Sequence, residues 1–439
     1  MLSIVKSTQL DKMKNKLIVL FMVALLSVPS FAQEFNLSGE IRPRYENRYG
    51  FSSLRSEADK AGNFISQRSR INFDFKNEKM IFKVTVQNVR FWGDTSTLSL
   101  DDTGIAFQQA WGEAIISEKF SLKLGRQTIA YDNERIFGGN AWAQQARSHD
   151  AFKFKIRPNK QHKIDLGIAY NADKQTNRNE LYSNVAGYKT FQYAWYHGDF
   201  NKFGLSFLLL NNGIQYVYNE GLPSEDIKID YSQTMGPRAT FKNNDFSIDA
   251  AFYLQKGNAY NNSVNASYFG ANFNYLISKH MNVTLGGEYF SGKDMGDNSP
   301  AVKSFKPVFG TNHKFNGLMD YFYVGNHENN VGLLDVYLHL NFTKKNWSFK
   351  LSPHYFASSA QIINLENNQN LDSYLGAELD FIIAYKINDN IKIDAGYSQM
   401  FATKSMEAIK GGDSNIHNSW AWVMVTFKPN LFNHKFKTQ

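Results

Sequence analysis

The chain of 439 residues contains no cysteine, so disulfides are excluded. That absence permits export without requiring it. Beyond the N-terminus there is no apolar run approaching the ~20 residues that a membrane helix needs, so a spanning chain here would have to be a closed barrel. No G-x-S-x-G sequence and no Ser–His pattern point to a hydrolase, which argues against a barrel enzyme. The ten histidines show no metal-ligand spacing. No cofactor or metal is therefore expected. His149 beside Asp150 reads as a rim or surface histidine rather than a catalytic one. The run from Asp294 to Asp297 reads as a solvated loop rather than a calcium loop, because its spacing is not that of an EF-hand. Arginine is scarce in the second half: of thirteen, eleven lie between Arg42 and Arg157, and the others are Arg178 and Arg238.

The N-terminus has the form of an export signal. Lys12, Lys14 and Lys16 precede an apolar run from Leu17 to Val28, and Ser30 and Ala32 are small residues at the spacing of a cleavage site. Cleavage after Ala32 would divide the chain into a leader, 1–32, and a barrel domain, 33–439. Loss of 32 residues carrying four lysines and one aspartate leaves 407 residues and lowers the net charge from +8 to +5. That mild excess is not the profile of a nucleic-acid binder.

What the mature chain has in quantity is alternation. In 35–46, Phe35, Leu37, Ile41 and Tyr45 oppose Asn36, Ser38, Glu40, Arg42, Arg44 and Glu46. In 65–76, Ile71, Phe73 and Phe75 oppose Arg68, Arg70, Asn72 and Asp74, and further on Phe152, Phe154 and Ile156 oppose Lys153, Lys155 and Arg157. Period two marks strands with one apolar face. Similar segments recur as far as Phe427, which ends the last of them and leaves a tail, Lys428 to Gln439, with no assigned role.

The connectors alternate in length. Short polar turns fall near 77–79, 117–119, 158–161, 199–201, 242–245, 278–280, 343–346 and 387–390. Mostly longer loops span 48–63, 93–105, 129–148, 172–187, 213–226, 257–263, 292–330, 359–372 and 403–417. These connectors imply eighteen strands with both ends on the short-turn side, the pattern of an all-β transmembrane barrel in the outer membrane of a Gram-negative bacterium. Candidates for the aromatic girdles are Tyr45, Phe91, Trp92, Trp195, Tyr196, Tyr289, Trp347, Tyr355, Tyr385 and Trp420.

The same alternation aims Arg42, Arg44, Arg68, Arg70, Lys83, Lys153, Lys155 and Arg157 into the lumen. The opposite parity would put each in lipid at ~2–4 kcal/mol near the midplane. Arginine stays charged and offers a fork that matches carboxylate or phosphate. Two readings follow. Either these groups favour anions, or they are locked in ion pairs, with Glu40, Glu46, Asp74 and Asp150 as partners. Arg126 shares the parity of Leu122 and Leu124, so it lies at the aqueous rim or follows a bulge at Gly125.

The stretch 122–155 carries the most specific pattern: Gly125-Arg126-Gln127, then Tyr131-Asp132-Asn133-Glu134-Arg135-Ile136, Trp142, and Arg147-Ser148-His149-Asp150. A second block runs from His313 through Asn316 and Gly317 to Asp320, followed by Gly332 and Asp335. These residues resemble the alginate export family of outer-membrane barrels. The resemblance implies a monomeric eighteen-stranded barrel whose electropositive constriction passes a polyuronate and whose loops gate it. It implies that Arg126, Arg135 and Arg147 are pore or loop-anchoring residues and that Asp150 holds one of them. His149 stands where the family pattern suggests an aromatic residue. The expected partners are outer-membrane lipid, an anionic solute or acidic polysaccharide such as alginate, and an unnamed periplasmic delivery partner. The alternative is a general diffusion porin for small solutes, with its lumen arginines paired structurally. An adhesin or structural barrel would need loops that plug the pore.

Overall fold

The computed structural model describes residues 33–436 except 100–103, 184–186, 324, 328 and 329, so the leader and its cleavage site lie outside the described residues. The alternating segments form one continuous wall. Its first part is β1 (Gln33–Tyr49), β2 (Gly62–Lys76), β3 (Met80–Phe91), β4 (Ile105–Ser117), β5 (Phe120–Gln127), β6 (His149–Ile156) and β7 (His162–Tyr170). It continues through β8 (Thr190–Phe200), β9 (Phe203–Tyr218), β10 (Asp226–Lys242), β11 (Phe246–Ala259), β12 (Asn262–Ser278) and β13 (Met281–Phe290). Then come β14 (Leu333–Lys344), β15 (Trp347–Ala357), a small separate hairpin of β16 (Ile362–Ile363) and β17 (Asn370–Leu371), β18 (Tyr374–Asn388) and β19 (Ile391–Ala402). A short helix, α1 (Lys404–Lys410), precedes β20 (Asn418–Phe427) and β21 (Asn430–Phe436).

Each wall strand pairs antiparallel with its neighbours, and β1 closes the circle against β20 (Arg44 opposite Met424) and β21 (Gln33 opposite Phe436). β20 and β21 occupy one wall position, which gives a closed eighteen-stranded antiparallel barrel. The tail is thus largely strand rather than a free extension. Pro429 has no N–H for the ladder, so pairing breaks there and resumes at Asn430, and the Gly39 N–H donates to the Pro429 carbonyl at 3.0 Å. Phe432 then packs on Phe35 at 6.0 Å between centroids.

The outward positions are apolar and exposed, among them Ile41, Ile71, Phe73, Phe207, Leu209, Leu285 and Phe381. The inward positions Glu40, Arg42, Arg44 and Arg68 are buried. This is the reverse of a soluble protein and is what a bilayer outside the wall demands. Leu285, in the middle of β13 and 55% exposed, sits on the lipid face. Leu285→Arg is expected to cost about 2–4 kcal/mol in folding equilibria measured in lipid vesicles. An unchanged stability would place that side of the wall away from lipid.

Two expectations change. Tyr45, Phe91, Trp92, Tyr289, Trp347 and Tyr355 are exposed as girdle residues should be, but Trp195 and Trp420 are buried and belong to the inner face. Of the long connectors expected at 213–226 and 257–263, the first is half strand and the second mostly strand. β11 and β12 meet at Tyr260 and Asn261, whose φ angles of 52° and 63° suit the tight turn that matches strand twist.

Candidate pore and its infolded loops

Two loops account for the aromatic residues of the inner face. The first spans 128–148, between β5 and β6, and the second spans 291–332, between β13 and β14. Both carry side chains too apolar for a solvated loop: Ile129, Tyr131, Ile136 and Phe137 in the first, and Phe305, Phe309, Met319, Tyr321 and Val331 in the second are all buried. They pack onto aromatic groups that the wall turns inward. Tyr131 stacks on Trp195 at 4.4 Å, Phe137 meets Phe191 at 5.7 Å, and Phe305 meets Tyr268 at 5.4 Å. Burial of this surface at ~25 cal/mol per Å² is what draws the loops in.

The loops also join each other. Phe137 and Phe309 form a parallel bridge, and their rings lie 5.3 Å apart. The Gly138 N–H donates to the Phe309 carbonyl at 2.8 Å and the Thr311 N–H to the Glu134 carbonyl at 3.0 Å. Trp142 stacks on His313 at 4.3 Å. Arg147 donates from Nη1 to the Gly310 carbonyl at 2.7 Å. Both sequence blocks that carry the family resemblance therefore lie at this seam.

Different stretches of the wall hold the two loops by opposite chemistry. On β1 and β2, guanidinium groups take backbone carbonyls at the tip of the first loop. Arg42 donates to the carbonyls of Ala141 and Trp142 at 3.0 Å each and to the Gln144 side chain. Arg44 reaches the Trp142 carbonyl at 2.9 Å, Arg68 the Gln144 carbonyl at 3.3 Å, and Arg70 the Gln145 carbonyl at 3.2 Å. On β13, β14 and β18, carboxylates take donors of the second loop. Glu378 accepts from the Met319 N–H at 2.8 Å and Asp380 from the Leu318 N–H at 3.3 Å. Asn316 donates to Glu288 at 2.8 Å and to Asp335 at 3.0 Å. Buried backbone groups need partners, and here charged side chains of the wall provide several of them.

Arg135 is the centre of the seam. It is 4% exposed, ion-pairs with Glu288, donates to Asn316 Oδ1 at 3.1 Å and lies 3.8 Å from the Phe315 ring centre. Burial alone would lower its guanidinium, but Glu288 and Tyr268 hold it above its usual value. Gly317 lies in the second loop at φ +79°, where an added Cβ would stand 2.7 Å from the Glu378 carboxylate. Gly317→Ala is expected to cost about 1–3 kcal/mol, read as a lower thermal midpoint with the barrel still assembled. No change in midpoint would mean that this turn is not held as described.

The other expected pore residues fall into three groups. Ion pairs hold Arg68 with Glu40, Arg44 with Glu46 (2.8 Å), Lys83 with Asp74 (2.5 Å), Lys155 with Glu113 (2.7 Å), and both Arg157 (2.6 Å) and Lys153 (3.5 Å) with Asp165. Arg42 and Arg70 face the loop tip with no carboxylate at ion-pair distance among the described residues. Arg126 lies apart. The β5 register is unbroken through Gly125, so Arg126 keeps the outward parity at the rim, its side chain 43% exposed, and pairs with Asp150 at 2.9 Å.

Residues that the sequence does not single out include Arg48, which shares Glu46 at 2.8 Å, and Lys123, whose amine lies 3.5 Å from the Trp111 ring centre. Strict parity with Lys153 across β5 and β6 is the available signal for Lys123. His149 is not a surface residue: it is 3% exposed, packed against Phe137, Phe191 and Phe309, with Nδ1 2.9 Å from the Tyr188 hydroxyl. Asp294 and Asp297 serve loop hydrogen bonds and an ion pair to Lys303, and no metal-ligating cluster occurs among the described residues.

A closed barrel with an apolar outer face, a charged inner face and infolded loops defines an outer-membrane channel of the porin type. Solved porin structures share the fold. Acinetobacter baumannii OccAB4 aligns with a TM-score of 0.61 at 11% identity, covering 92% of this chain and 98% of that one. Pseudomonas aeruginosa OccK11 (OpdR) aligns at 0.57 and 11%, covering 91% and 96%. Pseudomonas aeruginosa OccK2 (OpdF), solved in complex with glucuronate, aligns at 0.58 and 11%, covering 91% and 97%. No curated protein sequence matches the chain. The model of the alginate export family matches residues 33–421, and the chain belongs to that family.

Proposed function

We propose that the channel is passive and favours anionic solutes, an acidic polysaccharide such as alginate or its fragments among them. The observation that carries this reading is the charge of one side of the lumen. On β1–β7 the inward basic side chains outnumber the acidic ones, and Arg42, Arg70 and Lys123 have no carboxylate at ion-pair distance among the described residues. Uncompensated charge in a confined aqueous space raises the local concentration of counter-ions. Membership of the alginate export family and the uronate in the OccK2 structure support an acidic sugar as the solute class. On this reading the protein acts as a monomer in outer-membrane lipid, and a polymer would need a periplasmic delivery partner.

A general diffusion porin is the second reading, favoured by the ion pairs that neutralise Arg44, Arg68, Lys83, Lys155 and Arg157. Polyguluronate added to the purified barrel in a planar bilayer separates the two. The anionic-solute reading expects the polymer to reduce the current. Current unaffected at any polymer concentration would favour the general porin.

A further inference from the structure

A small cleft opens at the outer rim, above β5, β6 and β7. Its volume is about 220 Å³, and its lining includes Arg126, Arg147, His149, Asn171, Tyr182 and Tyr188. Arg147 is the group that points to a ligand. Its one side-chain hydrogen bond among the described residues is to the Gly310 carbonyl, and it meets no carboxylate there. A guanidinium carries five N–H donors, so most of them remain available. Burial pulls this group down to about 10, which still leaves it charged at neutral pH.

The surrounding groups extend the pattern. Arg126 uses Nε on the Phe107 carbonyl and Nη1 on Asp150, both at 2.9 Å, which leaves Nη2. Asp150 also borders the space, and this ion pair offsets its charge. His149 is held by the Tyr188 hydroxyl at Nδ1, while its buried Nε2 has no partner among the described residues. Asn171 donates to the Tyr188 carbonyl at 3.2 Å and borders the same space. Two tyrosine rings complete the lining. Cationic forks recognise carboxylates, and tyrosines combine an apolar ring with a hydroxyl that can hydrogen-bond. The space is smaller than the ~300–1,000 Å³ of drug-sized sites, which suits one sugar ring rather than a length of polymer.

We infer that this rim cleft binds a single carboxylated sugar unit, free or at a chain end, with Arg147 as the principal carboxylate ligand. The inference rests on the acidic-solute reading for its ligand class, but it concerns a site at the rim rather than the charge of the lumen.

The test is calorimetric titration of the full-length barrel, in detergent, with glucuronate and with glucose. Glucuronate is expected to bind about tenfold more tightly than glucose. Arg147→Gln should remove that preference. Tyr182→Ala, which leaves the Gly310 contact intact, should weaken glucuronate binding several-fold. Equal affinity for the two sugars, or glucuronate binding unaltered in both variants, would overturn the site. Bilayer recordings on the same proteins keep the two proposals apart. Glucuronate binding in a non-selective barrel would uphold the cleft and remove the anion-channel reading. Anion selectivity without glucuronate binding would do the reverse.

Discussion

Arg135→Met is expected to destabilise the infolded loops by about 3–5 kcal/mol, the usual cost of stranding one partner of a buried ion pair. Glu288, itself 3% exposed, would lose its guanidinium partner, and Asn316 would lose a donor to its Oδ1. The wall does not depend on this pair, since its strands are joined by their own ladders. The barrel should therefore still assemble, and the change should appear as a lower thermal midpoint with larger and noisier single-channel conductance. The double variant Arg135→Met with Glu288→Leu should recover part of the midpoint, because replacing both partners removes the stranded charge. Unchanged conductance and midpoint in the single variant would contradict the role given to the seam.

The second large effect concerns the basic wall. Arg42→Gln with Arg70→Gln removes two cations that no carboxylate contacts among the described residues, together with donors to Ala141, Trp142 and Gln145. At ~8 Å in water each charge is worth ~0.5 kcal/mol. Removing two shifts anion and cation by ~1 kcal/mol in opposite senses, so the anion-to-cation permeability ratio should fall about thirtyfold at low salt. Arg44→Gln is the useful contrast. Arg44 pairs with Glu46, which is also held by Arg48, so its removal should alter loop stability more than selectivity. If the two interventions changed the logarithm of the permeability ratio equally per charge removed, total charge rather than unpaired charge would set the preference.

These effects trace back to features of different legibility. Alternation puts Arg42, Arg44, Arg68 and Arg70 on the inner face, where the structure has them, because a charged face cannot be turned to lipid. Parity also holds at the outer rim, where Arg126 faces outward and finds Asp150. The tail is not legible as a strand because Pro429 interrupts the ladder, and a strand that restarts after proline resembles an ordinary end. A tryptophan suits either a girdle or an aromatic lining, so Trp195 and Trp420 are ambiguous until the infolded loops that cover them are known. Those loops are legible as long connectors. Their inward course depends on Phe137 meeting Phe309 and on Arg135 meeting Glu288, contacts between distant segments that local pattern does not encode. The buried setting of His149 is hidden for the same reason, since Phe309 of the other loop builds part of it.

The most direct test of the proposed function is the reversal potential of the purified wild-type barrel in a planar bilayer under a potassium chloride gradient. Unpaired cations on β1–β7 predict a shift toward the chloride equilibrium potential that shrinks as ionic strength rises, because screening lengths fall from ~10 Å at 0.1 M to ~3 Å at 1 M. A reversal potential at zero, or one on the potassium side, would contradict an anion-selective lumen.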